Sequence, residues 1–455
     1  MPDMPRAYDH VPVWAQSLAC TAVGARTNHE RYGHGFGRRL AAAIERSLWP
    51  EEQVLAYRDA RLRRIVRLAA ETPHYRRIFA CLGGKWHDFA TPEGLAHLPI
   101  LTKLEVQAHP EDFRPNHQPP HTKMVHTSGT TGAGLRFLTT RDAAHEQWAI
   151  WWRYRKRWGI ERRMKCGYFG GRAIVPVEHD RPPYWRHNYA ERQLLFSSYH
   201  MAPDTLGAYA EELRRFQPPW IHGYPSLLAL LASHLVSTAQ ELGFPLRYVT
   251  VGAESLLPSQ REQMLTAFGV EPHQHLGATE AVANMSECPH KQLHVDEDFS
   301  LVEFVPTQAD PGVAEIVGTC LTNEATVLLR YATSDTTTFP TAARCDCGGW
   351  GRLVKDIDGR IEDYLRLPGG RLLGRLDHVF KDMTSIREAQ IQQISPEKLR
   401  LLVAPQPTWN AEEEAHLRAE LTARIGEATQ VDVVLVDSVP RTEARKLRLV
   451  VRTDD

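Results

Sequence analysis

The chain has 455 residues, with 54 lysines and arginines against 55 aspartates and glutamates. Because these charges balance, long-range attraction to nucleic acid or to an anionic membrane is excluded as the default mode of binding. The length predicts at least two domains, each large enough to bury its own core. No apolar run reaches the roughly 18 residues of a membrane helix, and residues 1–20 do not resemble a secretory signal, so we expect a cytoplasmic protein.

The predicted elements change in character along the chain. Residues 1–95 predict helices, and the segment 51–79 has apolar residues at helical spacing until Thr72 and Pro73 end the helix. From about residue 120, short apolar runs alternate with helical stretches, which is typical of an α/β domain. The predicted strands there are 123–126 and 247–251, and the predicted helices are 211–216, 226–237 and 259–268.

Strands dominate after residue 314, with predictions at 314–321 and 326–331. The pattern resets beyond Gly359 and Arg360, where a self-contained α+β unit is predicted. Its strands are 387–394, 398–403 and 431–436, and its amphipathic helix is 411–425.

A segment rich in glycine and hydroxyl residues, His126–Gly134, follows the predicted strand 123–126. It contains three glycines and four serines or threonines. Glycine lets backbone N–H groups approach a polyphosphate, and hydroxyl groups donate to its oxygens. The segment is not a Walker A loop, because no Gly-Lys-Ser/Thr closes it. The residues alone leave phosphate binding and an ordinary surface loop as alternatives.

Five motifs, in order along the chain, resemble those of the adenylate-forming enzymes, the superfamily of acyl-CoA ligases and adenylation domains. They are TSGTTG at 127–132, HLGATE at 275–280, RYATSD at 330–335, GRIED at 359–363 and PRTEARK at 440–446. Three further segments resemble the branch that contains the phenylacetate-CoA ligases and their capsule-biosynthesis (CapK-like) and deazaflavin-adenylating relatives. These segments are ETPHYR at 71–76, GYPS at 223–226 and VGAE at 251–254.

The resemblance implies a two-domain fold that is α/β plus α+β. A large multi-sheet N-terminal adenylation domain would span 1–358, and a small mobile C-terminal α+β domain would span 359–455. The implied reaction is attack of a carboxylic acid, aryl or otherwise small, on ATP to form an acyl-adenylate and pyrophosphate. The acyl group would then pass most often to the thiol of CoA. Transfer to an amine or a carrier-protein thiol, and adenylylation of a hydroxyl substrate, are the alternatives, and a homodimer is left open.

A non-enzymatic alternative is a nucleotide-binding module whose catalytic site has decayed. The presence of Glu280, Asp335, Arg360 and Lys446 argues against it. Such a module would bind ATP without releasing pyrophosphate.

The resemblance also implies roles for individual residues. Ser128, Thr130 and Thr131 would hold the β- and γ-phosphates, Thr279 would contact the α-phosphate, and Glu280 would ligate Mg²⁺. Lys446 would swing in with the small domain and bridge the reacting groups, and Glu362 and Asp363 belong to the implied hinge. The remaining residues implied to bind ATP or AMP are Thr127, Gly129, Gly132, Gly252, Ala253, Glu254, His275, Gly277, Asp335 and Arg360.

The implied acid pocket borders Tyr224 and Gly252. Aromatic residues that would enclose it are Trp148, Trp151, Trp152, Tyr168, Phe169 and His200. Several positions depart from the family pattern, namely Ala133 in place of a lysine, Leu276 in place of an aromatic residue, Ser334 in place of glycine and Glu362 in place of aspartate. The resemblance therefore indicates a divergent member and does not identify the acid.

Three of the seven cysteines lie near histidines, whereas the other four are isolated, so the chain has no disulfide framework. Cys288 lies six residues before His294, and Cys345 and Cys347 form a Cys-x-Cys-Gly turn. Three thiolates and one imidazole make a closed tetrahedral set that suits a structural Zn²⁺. The cysteine and histidine pattern also resembles that of the capsule and deazaflavin relatives. Because His294 precedes acidic residues as it does in them, it is preferred over His290 as the fourth ligand.

Overall fold

The fold is taken from a computed structural model of the chain. The residues it describes are 6–127, 135–176, 178–202, 204–253, 256, 258–306, 313–338, 344–354, 357–358, 365–370, 372–373, 376–380, 383, 385–405, 408–437, 439–440 and 450–452. Among these residues, no helix combines the length and apolar character needed to cross a membrane.

Helices dominate the first 113 residues and recur between the later strands. The α-helices are α1 (Arg6–Asp9), α2 (Val13–Tyr32), α3 (Phe36–Arg46), α4 (Glu51–Ala69), α5 (Pro73–Cys81), α6 (Pro92–Leu95), α7 (Lys103–Ala108), α8 (Arg141–Arg157), α9 (Leu206–Phe216), α10 (Pro225–Ser237), α11 (Pro258–Phe268) and α12 (Ala411–Ile425). Short 3-10 helices cover Trp86–Phe89, Pro110–Phe113, Ser198–His200, Pro368–Gly370 and Leu376–Phe380.

The strands begin at residue 122 and form several sheets. They are β1 (Thr122–His126), β2 (Arg136–Thr140), β3 (Cys166–Gly170), β4 (Trp185–Asn188), β5 (Gln193–Ser197), β6 (Trp220–Gly223), β7 (Tyr248–Gly252), β8 (Pro272–Gly277), β9 (Asn284–Glu287), β10 (Leu293–Val295), β11 (Ser300–Pro306), β12 (Val313–Cys320), β13 (Tyr331–Thr338), β14 (Leu353–Val354), β15 (Ile357–Asp358), β16 (Leu365–Arg366), β17 (Leu372–Leu373), β18 (Ile386–Ser395), β19 (Lys398–Pro405), β20 (Gln430–Leu435) and β21 (Val450–Arg452).

The largest sheet has nine strands in the order β14-β10-β9-β8-β7-β6-β3-β5-β4. Its central strands, from β8 to β5, run parallel, whereas β9 and β4 pair with them antiparallel. The carboxyl ends of β3, β6, β7 and β8 therefore meet at one edge of the sheet. In an open parallel sheet, this edge is where ligands bind.

Helices cover both faces of this sheet, as parallel strands require. Because side chains alternate between faces, Trp220 packs on the face that bears α3 and α8, while Ile221 packs against α9, α10 and α11. Thr140 caps the N-terminus of α8, because its side chain accepts a hydrogen bond from the backbone N–H of Ala143. This helix forms a wall over the sheet face that contains the cavity described below.

A buried ion-pair network joins α3 and α8 to the segment after β10. Arg153 contacts Asp296 at 2.7 Å and Asp298 at 2.8 Å, and Arg46 contacts Asp298 at 2.6 Å and Glu146 at 2.5 Å. Burial by itself raises the pKa of Asp298, but the two guanidinium groups hold this pKa below its usual range. The network is therefore charged and paired in the folded state.

The C-terminal residues form their own sheet, in the order β20-β19-β18-β21. Leu417, Leu421 and Ile425 of α12 are buried in one cluster with this sheet, as their i, i+4, i+8 spacing predicts. A second four-stranded sheet, β11-β12-β13-β15, lies before it in the chain. The predicted fold class, a multi-sheet α/β region followed by a small α+β unit, is confirmed.

Most predicted elements agree with the structure, but the predicted strand 326–331 is wrong. Helix α4 ends at Ala69, and α5 begins at Pro73 with Thr72 as its cap. The segment from 326 to 330 is not a strand, and the strand begins instead at Tyr331. Its apolar residues Val327 and Leu328 are buried in the main core, so an apolar run there reflects burial of irregular backbone and not pairing in a sheet.

Candidate active site

A cavity of about 320 Å³ lies beside the edge where the parallel strands end. This volume is within the range of small-molecule sites. The cavity brings together six of the residues predicted from the sequence, which come from the ends of β6, β7 and β8 and the segments that follow them. They are Tyr224, Gly252, Ala253, His275, Gly277 and Thr279.

Close packing explains why one of these positions is glycine. A Cβ atom on Gly277 would lie 2.6 Å from the indole Nε1 of Trp151, which is shorter than any ordinary contact. The indole instead donates a hydrogen bond of 2.8 Å to Asn284. Gly277 therefore lets α8 approach the end of β8 and form the cavity wall.

Ala253 follows β7 with a positive φ of 69°. For a residue with a side chain, this left-handed conformation costs about 1–2 kcal/mol, and such strain is found preferentially at ligand-binding sites. Ala253 itself lines the cavity.

Two histidines, His222 on β6 and His275 on β8, are neutral. Burial, together with the positive charge of Arg155, lowers the pKa of His222 to about 3. The same causes, with His222 added, hold the pKa of His275 well below its usual value. His222 Nδ1 lies 2.9 Å from the hydroxyl of Thr250, and His275 Nδ1 is buried without a partner among the described residues. Both rings line the cavity as uncharged polar groups.

Three other predicted site residues lie outside the cavity lining. Thr127 is buried at the end of β1, where its hydroxyl accepts a hydrogen bond from the N–H of Leu135. Glu280 follows Thr279 in the turn between β8 and β9, and Asp335 lies in β13, in the neighbouring sheet. The predicted residues Ser128, Gly129, Thr130, Thr131, Gly132, Glu254, Arg360, Glu362, Asp363 and Lys446 lie outside the described residues.

The predicted aromatic lining agrees with the structure except at His200. Trp148, Trp151, Trp152, Tyr168 and Phe169 line the cavity. His200 is instead a buried core residue, with Nδ1 at 2.7 Å from the hydroxyl of Ser197 and Nε2 at 3.1 Å from the carbonyl of Pro176. It also stacks on Tyr184. Its two ring nitrogens and one ring face therefore make contacts in the core, away from the cavity.

Sequence reasoning missed an entire wall of the cavity, formed by α2. Cys20, Gly24, Asn28 and Arg31 line it, and they follow one another at the spacing of one helix face. A Cβ atom on Gly24 would lie 2.2 Å from the side-chain oxygen of Asn188, so this helix packs tightly against β4. Gly24, at the centre of that face, could have indicated close packing of α2. A glycine alone, however, does not indicate a binding site.

The four predicted zinc ligands form a compact cluster beside β10. The ligand atoms of Cys288, His294, Cys345 and Cys347 all lie within 4.8 Å of one another, whereas His290 is exposed and outside it. The sulfur atoms of Cys288 and Cys345 are 3.6 Å apart, and Cys347 Sγ lies 3.4 Å from His294 Nε2. Metal–ligand bonds of about 2.3 Å (sulfur) and 2.0–2.1 Å (nitrogen) give tetrahedral edges of about 3.8 and 3.6 Å, so the donor set fits Zn²⁺.

The surroundings of the cluster also suit a metal ligand set. His294 Nδ1 lies 2.9 Å from the backbone carbonyl of Trp350, and a proton held on Nδ1 leaves Nε2 free to bind a metal. Burial and the neighbouring thiols raise the pKa of Cys345 to about 12. A cation at the centre of the cluster would reverse that shift, because a coordinating thiol is deprotonated.

Comparison with known proteins gives a consistent picture. Residues 369–453 match the family of CapK C-terminal domains. The chain is 24% identical over 368 residues to Protein CapK of Staphylococcus aureus, which covers 79% of this chain and 81% of that protein. It is 26% identical over 352 residues to phenylacetate-coenzyme A ligase of Thermus thermophilus, which covers 70% and 73%.

A solved structure of 2-hydroxyisobutyryl-CoA ligase in complex with 2-HIB-AMP and CoA shares the fold. Its TM-score is 0.53 at 19% identity, over 90% of this chain and 91% of that chain. The fold and the matches confirm the resemblance to the adenylate-forming ligases that the sequence shows. The match at 369–453 and the similarity to Protein CapK support the resemblance to the CapK-like branch.

Proposed function

We propose that this chain activates a small carboxylic acid with ATP and then transfers the acyl group to the thiol of CoA. The observation that carries the proposal is the meeting of Tyr224, Gly252, His275, Gly277 and Thr279 around one cavity at the ends of parallel strands. The resemblance to the adenylate-forming ligases supports the same chemistry.

In the first step, a carboxylate oxygen attacks the α-phosphorus of ATP, and the bond to the bridging oxygen breaks so that pyrophosphate leaves. Correct alignment and stabilisation of the developing charge are what the protein supplies to such a step. We infer that Thr279 donates to the α-phosphate, that Ser128, Thr130 and Thr131 hold the departing phosphates, and that Asp335 binds the ribose. Mg²⁺, held by Glu280, would neutralise phosphate charge.

In the second step, the sulfur of CoA attacks the acyl carbon and AMP leaves. We infer that the small C-terminal domain, predicted to begin at residue 359, turns about Glu362 and Asp363 between the two steps. Lys446 would then be present for adenylation and withdrawn for transfer.

We also propose that Cys288, His294, Cys345 and Cys347 hold a structural Zn²⁺. With four protein ligands, no coordination position is left for water or substrate. The ion would fasten the turn between β9 and β10 to the segment before β14, close to the ion-pair network of Arg153.

The direct test is acid-dependent exchange of labelled pyrophosphate into ATP, without CoA, over a panel of aryl, aliphatic and amino acids. Exchange that requires one class of acid is the expected result. If ATP binds but no acid supports exchange, acid activation is wrong. CoA, hydroxylamine or a carrier protein with a free phosphopantetheine thiol is then added to the active mixture to identify the acceptor. We expect an acyl-CoA to form.

A further inference from the structure

The cavity contains a buried arginine that no described carboxylate neutralises. Arg155, in the last turn of α8, is only 6% exposed and lines the cavity. Its neighbours are the rings of Trp152 and Trp220, at 5.2 and 5.9 Å from the guanidinium carbon. Its Nε is buried without a hydrogen-bond partner among the described residues.

Arg153, two residues earlier on the same helix, shows what a buried arginine ordinarily requires. It is 4% exposed, and its guanidinium group contacts both Asp296 and Asp298. Burying an ion without a partner costs several kcal/mol, so buried arginines are nearly always paired. The contrast between these two residues indicates that the partner of Arg155 is not part of the described protein.

The other charges of the cavity point the same way. Arg31, Arg163 and Arg172 also line it, and Glu191 is the one acidic residue among the described residues of the lining. Arg31 lies over the ring of Trp148 at 4.1 Å. Burial raises the pKa of Glu191, and the nearby arginines oppose that rise. A cavity with this excess of cations favours an anionic occupant.

Arg155 lies at a distance from the residues that are proposed to bind ATP. Its neighbours Trp220 and Cys166 begin β6 and β3, whereas Tyr224, Gly252, Gly277 and Thr279 mark the opposite ends of the strands. The four residue steps from Trp220 to Tyr224 span roughly 13 Å at about 3.3 Å per residue. An anion beside Arg155 is therefore at the deep end of the cavity, a distance on the order of 10 Å from the reacting carboxylate.

We propose that the acid carries a second anionic group, a carboxylate, sulfonate or phosphonate type of oxyanion, that binds Arg155 at the deep end of the cavity. This assignment rests on the proposed function, because it concerns the acid that is adenylated. A planar guanidinium donates two parallel hydrogen bonds to such a group. The indoles of Trp148 and Trp152 would flank the body of the acid between its two ends.

The test uses matched acids that differ only in the remote group. 4-Carboxy-, 4-sulfo- and 4-phosphonophenylacetate are compared with 4-methylphenylacetate, and adipate, suberate and sebacate with the monocarboxylates of equal length. In pyrophosphate exchange, we expect kcat/KM for at least one dianionic acid to exceed that of its neutral partner by 10-fold or more. The preferred group identifies the oxyanion, and the preferred chain length measures the depth of the cavity.

The variant Arg155→Met should bring that ratio to about one, while Arg214→Gln, a substitution in a half-buried arginine of α9 outside the cavity, should leave it unchanged. Because no carboxylate among the described residues pairs with Arg155, its replacement by an apolar side chain should not lower the melting temperature of the ligand-free protein. Preference for the neutral acids, or a ratio that survives Arg155→Met, would overturn the assignment.

Calorimetric titration of the same acids without ATP separates this proposal from the proposed function. Tighter binding of a dianionic acid that is lost in Arg155→Met supports the site even if no exchange occurs, in which case acid activation alone is wrong. Equal binding of dianionic and neutral acids, with exchange intact, would leave acid activation standing and refute the second anionic group.

Discussion

At the residue scale, the surroundings of each polar group decide its charge. His222 and His275 are neutral because they are buried near Arg155, while Asp298 stays ionised because Arg153 and Arg46 outweigh the effect of its burial. The cavity therefore combines uncharged imidazoles with the guanidinium group of Arg155, which has no carboxylate partner among the described residues. None of these states can be assigned from residue type alone, since each depends on neighbours distant in the chain.

The low pKa of His222 predicts a loss of stability in mild acid. In the unfolded chain, a histidine has a pKa of about 6.5, against about 3 in the folded protein. Between these values only the unfolded state binds the proton, so the free energy of unfolding falls as pH drops, by up to about 1.4 kcal/mol per pH unit. Urea denaturation between about pH 7 and pH 5 should show that His222→Gln reduces this slope. His416→Gln, at an exposed site in α12, should not, and equal slopes would contradict the prediction.

The ion-pair network predicts a large effect of Asp298→Asn. The substitution leaves Arg153 and Arg46 with one carboxylate partner fewer inside the protein, so we expect a loss of about 3–5 kcal/mol. Urea denaturation at neutral pH measures it. The control Asp432→Asn breaks an exposed pair with Lys398 at 3.4 Å and should cost less than about 1 kcal/mol. Similar losses in both variants would show that burial of the network contributes little.

At the scale of elements, the cavity depends on how closely helices approach the nine-stranded sheet. Gly277 admits α8 to the end of β8, and Gly24 admits α2 to β4. The two helices then present Trp148, Arg155 and Arg31 to the same space. The hairpin of β9 and β10 contributes Cys288 and His294 to the cysteine and histidine cluster, which Cys345 and Cys347 complete from the segment before β14.

Helix α2 should tolerate no side chain at Gly24. Because a Cβ atom there would lie 2.2 Å from the Asn188 side chain, Gly24→Ala should destabilise the protein by about 1–3 kcal/mol despite the better helix propensity of alanine. At Gly37 in α3, a Cβ atom meets nothing within 4 Å, so Gly37→Ala should be neutral or stabilising by up to about 1 kcal/mol. Urea denaturation compares the two, and equal stabilisation would show that α2 is loosely packed.

The cysteine and histidine cluster should bind one metal ion per chain. Elemental analysis of purified protein is expected to find about one zinc, and Cys345→Ser should abolish it and lower the melting temperature, since ligand loss removes the folding energy of the ion. Cys81→Ser, at an exposed cysteine outside the cluster, should change neither. Wild-type protein that is free of metal yet stably folded would refute the site.

At the scale of the whole molecule, the proposed reaction needs both ends of the chain. Helix α2 near the N-terminus forms a cavity wall, and the residues that match the CapK C-terminal domain lie at 369–453. Lys446 lies within that matched range, and in the proposed function it reaches the reacting groups through movement of the small domain. The activity should therefore depend on a residue far in sequence from the cavity.

Lys446→Ala should reduce acid-dependent pyrophosphate exchange by at least about 10²-fold, the scale for removal of one contact to a developing charge. Lys398→Ala, at a partly exposed lysine in the same part of the chain, serves as the control and should retain exchange. If Lys446→Ala exchanges pyrophosphate at the rate of the wild type, the residue has no role in adenylation.

The sequence by itself was sufficient for the family, the fold class and most elements, because ordered motifs and apolar periodicity are local properties. It predicted α12 to the residue and the break before Pro73, and it named the residues from Tyr224 to Thr279 that meet at the cavity. It misread 326–331 as a strand, since burial and pairing give the same apolar pattern in a short segment.

Only the tertiary structure decided which side chains share a space. It assigned α2 to the cavity wall, removed His200 from the lining, and showed that Arg153 has carboxylate partners whereas Arg155 has none in the part of the chain that is described. The placement of α2 and the pairing of Arg153 depend on contacts between segments more than 100 residues apart, as between Gly24 and Asn188 or Arg153 and Asp298. Periodicity within one helix carries no information about such partners, and the charge of a buried group follows from them.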